Sequence, residues 1–265
     1  MGNADSFLKS HQSSGRRPAS HVESGLFTTR SQDTTCAVFG PMHYEARYCY
    51  PLIIWLHGEG DDERQLLRVM PHVSIRNYVA VAPRGICLPE TVGTDRPEAQ
   101  REGYRWEQSE AVVQQAEHRI FDGIESVARK YCFHRGRIFL AGFDSGGTMA
   151  LRVALNHPNR FAGVLSLCGA FPQEGTPLGN LNEARQLPIF MAAGRDSCRY
   201  SPKDVCENLR LFHAAGLSVT LRQYPCGHEI VLPMLADVDR WIMEQIVPGQ
   251  ASHVEGGHER TPEVE

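Results

Sequence analysis

Between residues 35 and 247 the chain alternates short apolar runs with longer amphipathic stretches. Leu52-Ile53-Ile54-Trp55-Leu56 is apolar at every position, which fits a strand covered on both faces rather than one with a wet side. Similar β-rich runs predict strands over Thr35–Phe39, Glu45–Tyr50, Leu52–Leu56, Tyr78–Ala82, Arg137–Ala141, Gly163–Leu167, Ile189–Ala193 and Ser218–Tyr224. Apolar residues spaced by three and four predict helices over Glu107–Tyr131, Ser145–Asn156, Pro202–Ala215 and Glu229–Val247. Strands that alternate with helices imply an α/β fold: a mostly parallel, doubly wound sheet with helices on both faces.

The ends of the chain break this pattern. Residues 1–25 are rich in Ser, His, Gly and Arg and cannot bury enough apolar surface to offset their ordering entropy, so a disordered arm is expected there. Its first residues, Met1-Gly2-Asn3-Ala4-Asp5-Ser6, fit an acylation pattern short enough to arise by chance. Residues 248–265 are polar again and read as a flexible tail, which leaves one domain over 26–247. Inside it, Ile86 to Arg105 has no clear period, and so long a connection is more often functional than idle.

Composition narrows the classes of function. With 27 Lys and Arg against 31 Asp and Glu, the net charge is −4, so no basic excess is available for nucleic acid. No apolar run approaches the roughly 18 residues of a membrane span. The eight cysteines form no C-x-x-C pair, several sit in apolar runs as free core cysteines do, and the N-terminal stretch lacks an apolar signal segment. A cytoplasmic protein with no metal and no cofactor is expected.

The chemistry is concentrated at strand ends. Arg137–Ala141 runs into Gly142-Phe143-Asp144-Ser145-Gly146-Gly147, and a helical pattern follows at once, the setting of a nucleophile elbow. Such a corner needs glycine two residues before and two after its central side chain, because a Cβ there would meet the crossing strand and helix. Gly142 and Gly146 flank Asp144 in this way, whereas centring on Ser145 would put Phe143 at the crossing. Upstream, Leu52–Leu56 ends in His57-Gly58-Glu59, a turn that can aim backbone N–H groups at a site. With the elbow it predicts an oxyanion hole made by the N–H groups of Glu59 and Ser145. Downstream, Asp196 follows the strand Ile189–Ala193, and His228 follows Ser218–Tyr224. Elbow, acid and base in that order match a hydrolase triad.

These motifs resemble the α/β-hydrolase superfamily, and within it the phospholipase/carboxylesterase group of small esterases and thioesterases. The resemblance covers about Tyr50 to Val247, through the His57-Gly58-Glu59 turn, Ala141 to Gly147 and Cys226-Gly227-His228. It implies an α/β-hydrolase fold and a small ester-like substrate, with the family's serine, acid and histidine mapped onto Asp144, Asp196 and His228. His57, Tyr104 and Trp106 are expected at the substrate, under a wall formed by residues 86–106.

An aspartate in place of the serine leaves three functions open. The first is hydrolysis of a small carboxylic ester or thioester by descent. The second is displacement at a saturated carbon of an epoxide or haloalkane, giving an ester of Asp144 that water then cleaves. Superfamily members that do this typically carry Trp after the Asp, where this chain has Ser145. The third is a pocket that binds without turnover. If only the nucleophile is lost, Asp144→Ser is expected to raise aryl-ester hydrolysis.

Overall fold

The computed structural model describes residues 27–30, 35–87 and 103–247. The arm expected at 1–25 and the tail expected at 248–265 lie outside them, as does the middle of the connection, 88–102.

In chain order the elements are β1 Phe27–Arg30, β2 Thr35–Phe39, β3 Tyr50–Leu56, α1 Gln65–Val73, β4 Val79–Pro83, β5 Ile86–Cys87, β6 Tyr104–Arg105, α2 Glu110–Ala128, β7 Phe133–Phe143, α3 Ser145–Asn156, β8 Gly163–Leu167, α4 Leu181–Ala184, β9 Ile189–Gly194, α5 Pro202–Ala215, β10 Val219–Tyr224 and α6 Leu232–Ile246. Eight strands form one sheet in the order β1-β2-β4-β3-β7-β8-β9-β10. Pairing is parallel from β4 through β10, and antiparallel between β1 and β2 and between β2 and β4. β5 and β6 form a separate antiparallel pair.

The alternation along β3 divides the core. Leu52, Ile54 and Leu56 enter one cluster with Val113, Ile120 and Ile124 of α2 and Met149 and Val153 of α3. Ile53 and Trp55 enter the other, with Leu66 and Met70 of α1 and Leu235, Val238 and Trp241 of α6. Every β3 side chain is buried, and full burial of an aliphatic residue contributes about 1.5–3 kcal/mol relative to exposure. Sheet faces covered on both sides leave the carboxyl ends of the strands as the open edge, where loops gather.

Three local expectations are corrected, and one helix is added. Of the strand expected over Glu45–Tyr50, only Tyr50 is extended, and Glu45 N–H instead donates to the Tyr50 hydroxyl at 3.1 Å in a turn. Helix α1, nine residues long with Pro71 inside, is an element that the expected helices do not include. The last helix starts at Leu232 rather than Glu229, with a proline in its first turn, where the missing N–H costs nothing. Finally, Cys49 and Cys132 are joined as a disulfide, so the reading of the cysteines as free fails for this pair. The two stand 83 residues apart and meet because β3 and β7 start side by side, Tyr50 opposite Phe133. Among the described residues no helix is long and apolar enough to cross a membrane.

Candidate active site

The turn between β7 and α3 is built around backbone crowding. A Cβ on Gly142 would lie 2.4 Å from the carbonyl oxygen of Gly146, and one on Gly146 would lie 2.3 Å from the carbonyl oxygens of both Leu56 and His57. Asp144 at the centre has φ 54° and ψ −124°, a conformation that costs on the order of 1–3 kcal/mol and that Asp bears better than most residues. Two backbone bonds hold it: Asp144 N–H donates to Leu167 C=O at 2.9 Å, and Thr148 N–H donates to Asp144 C=O at 3.1 Å.

The Asp144 carboxylate is engaged on both oxygens. His228 Nε2 stands 2.9 Å from Oδ1. Glu59 N–H donates to Oδ2 at 3.3 Å, and Arg199 Nη1 lies 3.2 Å from the same oxygen. Asp144, His228 and Glu59 therefore converge at the carboxyl edge of the sheet, at the ends of β7, β10 and β3. Ser145 is the first residue of α3, and its N–H is one of the donors that a helix leaves without a partner four residues earlier. The Ser145 hydroxyl is buried without a hydrogen bond.

Asp196 is placed differently from the expectation. Its side chain is 67% exposed and its nearest cation is Arg195, 3.9 Å away. Among the described residues it makes no ion pair with His228. The other ring nitrogen, Nδ1, faces Ser197 Oγ at 3.0 Å instead. The reason is local: Asp196 N–H bonds Cys226 C=O and Ser197 N–H bonds Gly194 C=O, a turn that directs residue 196 outward and residue 197 inward. Arg199 lies beyond that turn, anchored by the Ser201–Asp204 capping box at the start of α5. Its guanidinium also pairs with the Glu59 carboxylate, and this bond, with the nearby Asp144 charge, raises its pKa. Nothing in the sequence marked Ser197 or Arg199, because a loop residue's direction is set by bonds that have no period.

Two of the three expected substrate contacts are structural. His57 is wholly buried; its Nδ1 stands 2.8 Å from Gly58 C=O and its Nε2 accepts from Gly85 N–H at 2.9 Å. Accepting at Nε2 fixes the proton on Nδ1, and burial lowers the ring's pKa against the opposing pull of Gly58 C=O. This neutral ring braces the corner and offers no nitrogen to a ligand. Trp106 is 3% exposed, and its indole N–H donates to His57 C=O at 3.1 Å. It is a core residue under the same corner. Tyr104 is half-buried, with its hydroxyl 3.2 Å from Arg84 Nη1.

Arg84 is the main support of the segment that follows the first corner. It grips Glu63, itself 1% exposed, with two 2.6 Å bonds from Nε and Nη2. Burial pushes the Glu63 carboxyl up, but the Arg84 bonds outweigh it and leave the group below the ordinary carboxylate range. A depressed pKa means the pair stabilises the fold above about pH 4.3 and loses that contribution as pH falls through the folded-state value. Arg84→Met leaves a buried carboxylate unpaired, and we expect a loss of about 3 kcal/mol at pH 7. In the variant the slope should reverse, with stability falling as pH rises above the carboxylate range. Urea titrations from pH 4 to 8 measure both, and an unchanged slope would show that the pair does not carry this dependence.

Beside His228 a groove of about 450 Å³ runs between α1 and α6, lined by Gln65, Val69, Phe143, His228, Ile230 and Leu235 among others. Neither Tyr104 nor Trp106 lines it, and the wall expected from residues 86–106 falls largely in 88–102, outside the described residues. Among the described residues no cluster of three or more His, Cys, Asp and Glu could hold a metal ion.

Residues 45–246 match the family described as phospholipase/carboxylesterase. The Bacillus subtilis protein MhqD, described as a hydrolase, is 22% identical over 204 residues, spanning 77% of this chain and 98% of its own. Among solved structures, a carboxylesterase from Mesorhizobium loti superposes with a TM-score of 0.64 at 20% identity, over 82% of this chain and 98% of that one. SOBER1 of Arabidopsis thaliana gives 0.62 at 20% identity, over 75% and 100%. Acyl-protein thioesterase 2 of Zea mays gives 0.60 at 18% identity, over 80% and 99%. These likenesses show that the α/β-hydrolase fold is shared.

Proposed function

The chain belongs to the phospholipase/carboxylesterase family, and from that membership we propose that it hydrolyses a small carboxylic ester or thioester at a site whose nucleophile position is held by Asp144. The observation that carries this reading is that one carboxylate lies between an imidazole and a backbone donor: Oδ1 is 2.9 Å from His228 Nε2 and Oδ2 is 3.3 Å from Glu59 N. The groove against His228 offers an apolar bed for the substrate.

An attacking carboxylate restricts the leaving group. When an Asp144 oxygen adds to the acyl carbon, the tetrahedral intermediate can expel either the carboxylate, with a conjugate-acid pKa of about 4, or the other substituent. An alkoxide loses that competition by many orders of magnitude. A thiolate, from a thiol of pKa about 8.5, leaves far more readily than an alkoxide and needs no proton to do so. Thioesters, and aryl esters with stabilised phenolates, are therefore the substrates this chemistry favours over alkyl esters. Attack forms the Asp144 O–C(acyl) bond and breaks C–S, leaving a mixed anhydride. Once acylated, Asp144 has no charge to hold the His228 proton at Nε2, so the ring can take a proton from the water that adds to the acyl carbon. The carboxylic acid departs, the Asp144 carboxylate is regenerated, and the proton passes on to the thiolate.

One contact favours a second chemistry. Glu59 N–H is bonded to an oxygen of Asp144 itself, the atom that would carry negative charge if water attacked an alkyl ester of Asp144. That arrangement serves displacement of halide, or opening of an epoxide, at a saturated carbon.

Trapping separates the two. With thioesters and hydroxylamine, the first chemistry is expected to convert Asp144 to a hydroxamate, found by peptide mass mapping. With epoxides or alkyl halides, the second should leave a stable ester on Asp144 in a His228→Gln variant. A wild type that neither turns over nor is labelled by any of these compounds would overturn the hydrolase reading and leave a ligand-binding protein.

A further inference from the structure

A serine triad needs a hydroxyl at one imidazole nitrogen and a carboxylate at the other. This site has both groups, at exchanged ends. The carboxylate of Asp144 sits at Nε2, 2.9 Å away, and the hydroxyl of Ser197 sits at Nδ1, 3.0 Å away. A carboxylate only accepts, so Nε2 carries the proton, and a neutral ring then presents its lone pair at Nδ1. Ser197 is held in the matching role. Its Oγ accepts Tyr200 N–H at 3.1 Å, which leaves its own hydrogen to point at Nδ1. Tyr200 is in turn fixed, 2% exposed, with its hydroxyl 2.8 Å from Asn208 Nδ2.

We propose that Ser197 is the positioning residue of His228, and that Ser197 and Asp144 together lock the ring in the Nε2–H tautomer, an inverted triad. At rest the ring then turns an N–H, not a lone pair, to the Asp144 side, so it cannot take a proton from a nucleophile there. This changes what a serine at 144 can do. Asp144→Ser alone would place a hydroxyl at both ring nitrogens, with Asp196 still turned to solvent and no carboxylate to hold Nδ1–H or to stabilise an imidazolium. In serine hydrolases that carboxylate is worth about 10⁴ in rate. Restoring the usual order requires the exchange of both residues, Asp144→Ser with Ser197→Asp.

The test uses the full chain and four proteins: wild type, each single variant and the double variant. We expect the double variant to hydrolyse short aryl esters at least about 10²-fold faster than Asp144→Ser, with no gain from Ser197→Asp alone, a coupling that independent sites would not show. The ring provides a readout that does not depend on activity. In ¹⁵N-histidine spectra, His228 of the wild type should be protonated at Nε2 with Nδ1 as acceptor, and the double variant should show the reverse. Because Ser197 is buried, melting curves establish which variants fold, and the wild-type spectrum tests the inference even if Ser197→Asp does not. A wild-type ring protonated at Nδ1, or a folded Asp144→Ser protein as active as a folded double variant, would overturn it. The inference rests on geometry alone, so a wild type without any hydrolase activity would remove the function proposed above and leave this comparison standing.

Discussion

Asp144→Ala should lower thioester hydrolysis by at least about 10³-fold in kcat while changing KM little. The variant deletes the attacking atom and nothing that forms the groove between α1 and α6, so ground-state binding survives and only the transition state loses its bond. His228→Gln should cost less, about 10²–10⁴ in rate, since it removes proton transfer but leaves the nucleophile in place. The order matters more than either figure, because a base acting on water without a covalent step would make the histidine variant the worse of the two. Removing the carboxylate also leaves Arg199 with only Glu59 as its partner, so the alanine variant should release part of the Arg199 loop and gain proteolytic sensitivity there. Single-turnover kinetics with a chromogenic thioester measures the first effect. Asp144→Ala activity within tenfold of wild type would end the covalent reading.

How much of this was legible without coordinates depends on whether a feature leaves a sterically forced trace. The corner at Asp144 did, because a Cβ at 142 or 146 would run into backbone carbonyl groups, and no other side chain in that stretch has glycine at both offsets. The Glu59 donor was legible for a similar reason, as a strand apolar at every position stopping at His57-Gly58 can only turn at the sheet edge. His228 followed from the end of the next strand. What failed was the direction of side chains in loops. Asp196 and Ser197 are neighbours, and composition favours the carboxylate as a partner for histidine, yet the turn bonded to Gly194 and Cys226 sends the carboxylate outward and the hydroxyl to the ring. His57 and Trp106 were assigned to a ligand because aromatic and imidazole groups near a site usually meet one; here each is spent on the backbone of the corner. The Cys49–Cys132 pair left no local spacing to read, since only the register of β3 against β7 brings the two together.

The largest effect on stability is expected at Gly146. An added methyl there lies 2.3 Å from two carbonyl oxygens, Leu56 and His57, and neither can yield. Leu56 is paired in register with Gly142 across β3 and β7, and His57 is wholly buried with both ring nitrogens bound to backbone. Relief requires α3 to move off the sheet, which would open the contacts of Met149, Ala150 and Val153 with the core. Overpacking of a well-filled site costs about 1–3 kcal/mol where side chains can adjust; against fixed backbone we expect Gly146→Ala to cost about 3 kcal/mol or more. For a domain of this size that lowers Tm by roughly 10 °C. Gly60→Ala separates crowding from backbone strain, because Gly60 has φ +77° but nothing within 4 Å of an added Cβ, and it should cost only about 1–2 kcal/mol. The same displacement of α3 shifts its N-cap Asp144 against Glu59 N–H, so residual activity in Gly146→Ala should fall further than its folded fraction does. Equal melting temperatures for the two glycine variants would show that the crossing of β3 and α3 is looser than these contacts require.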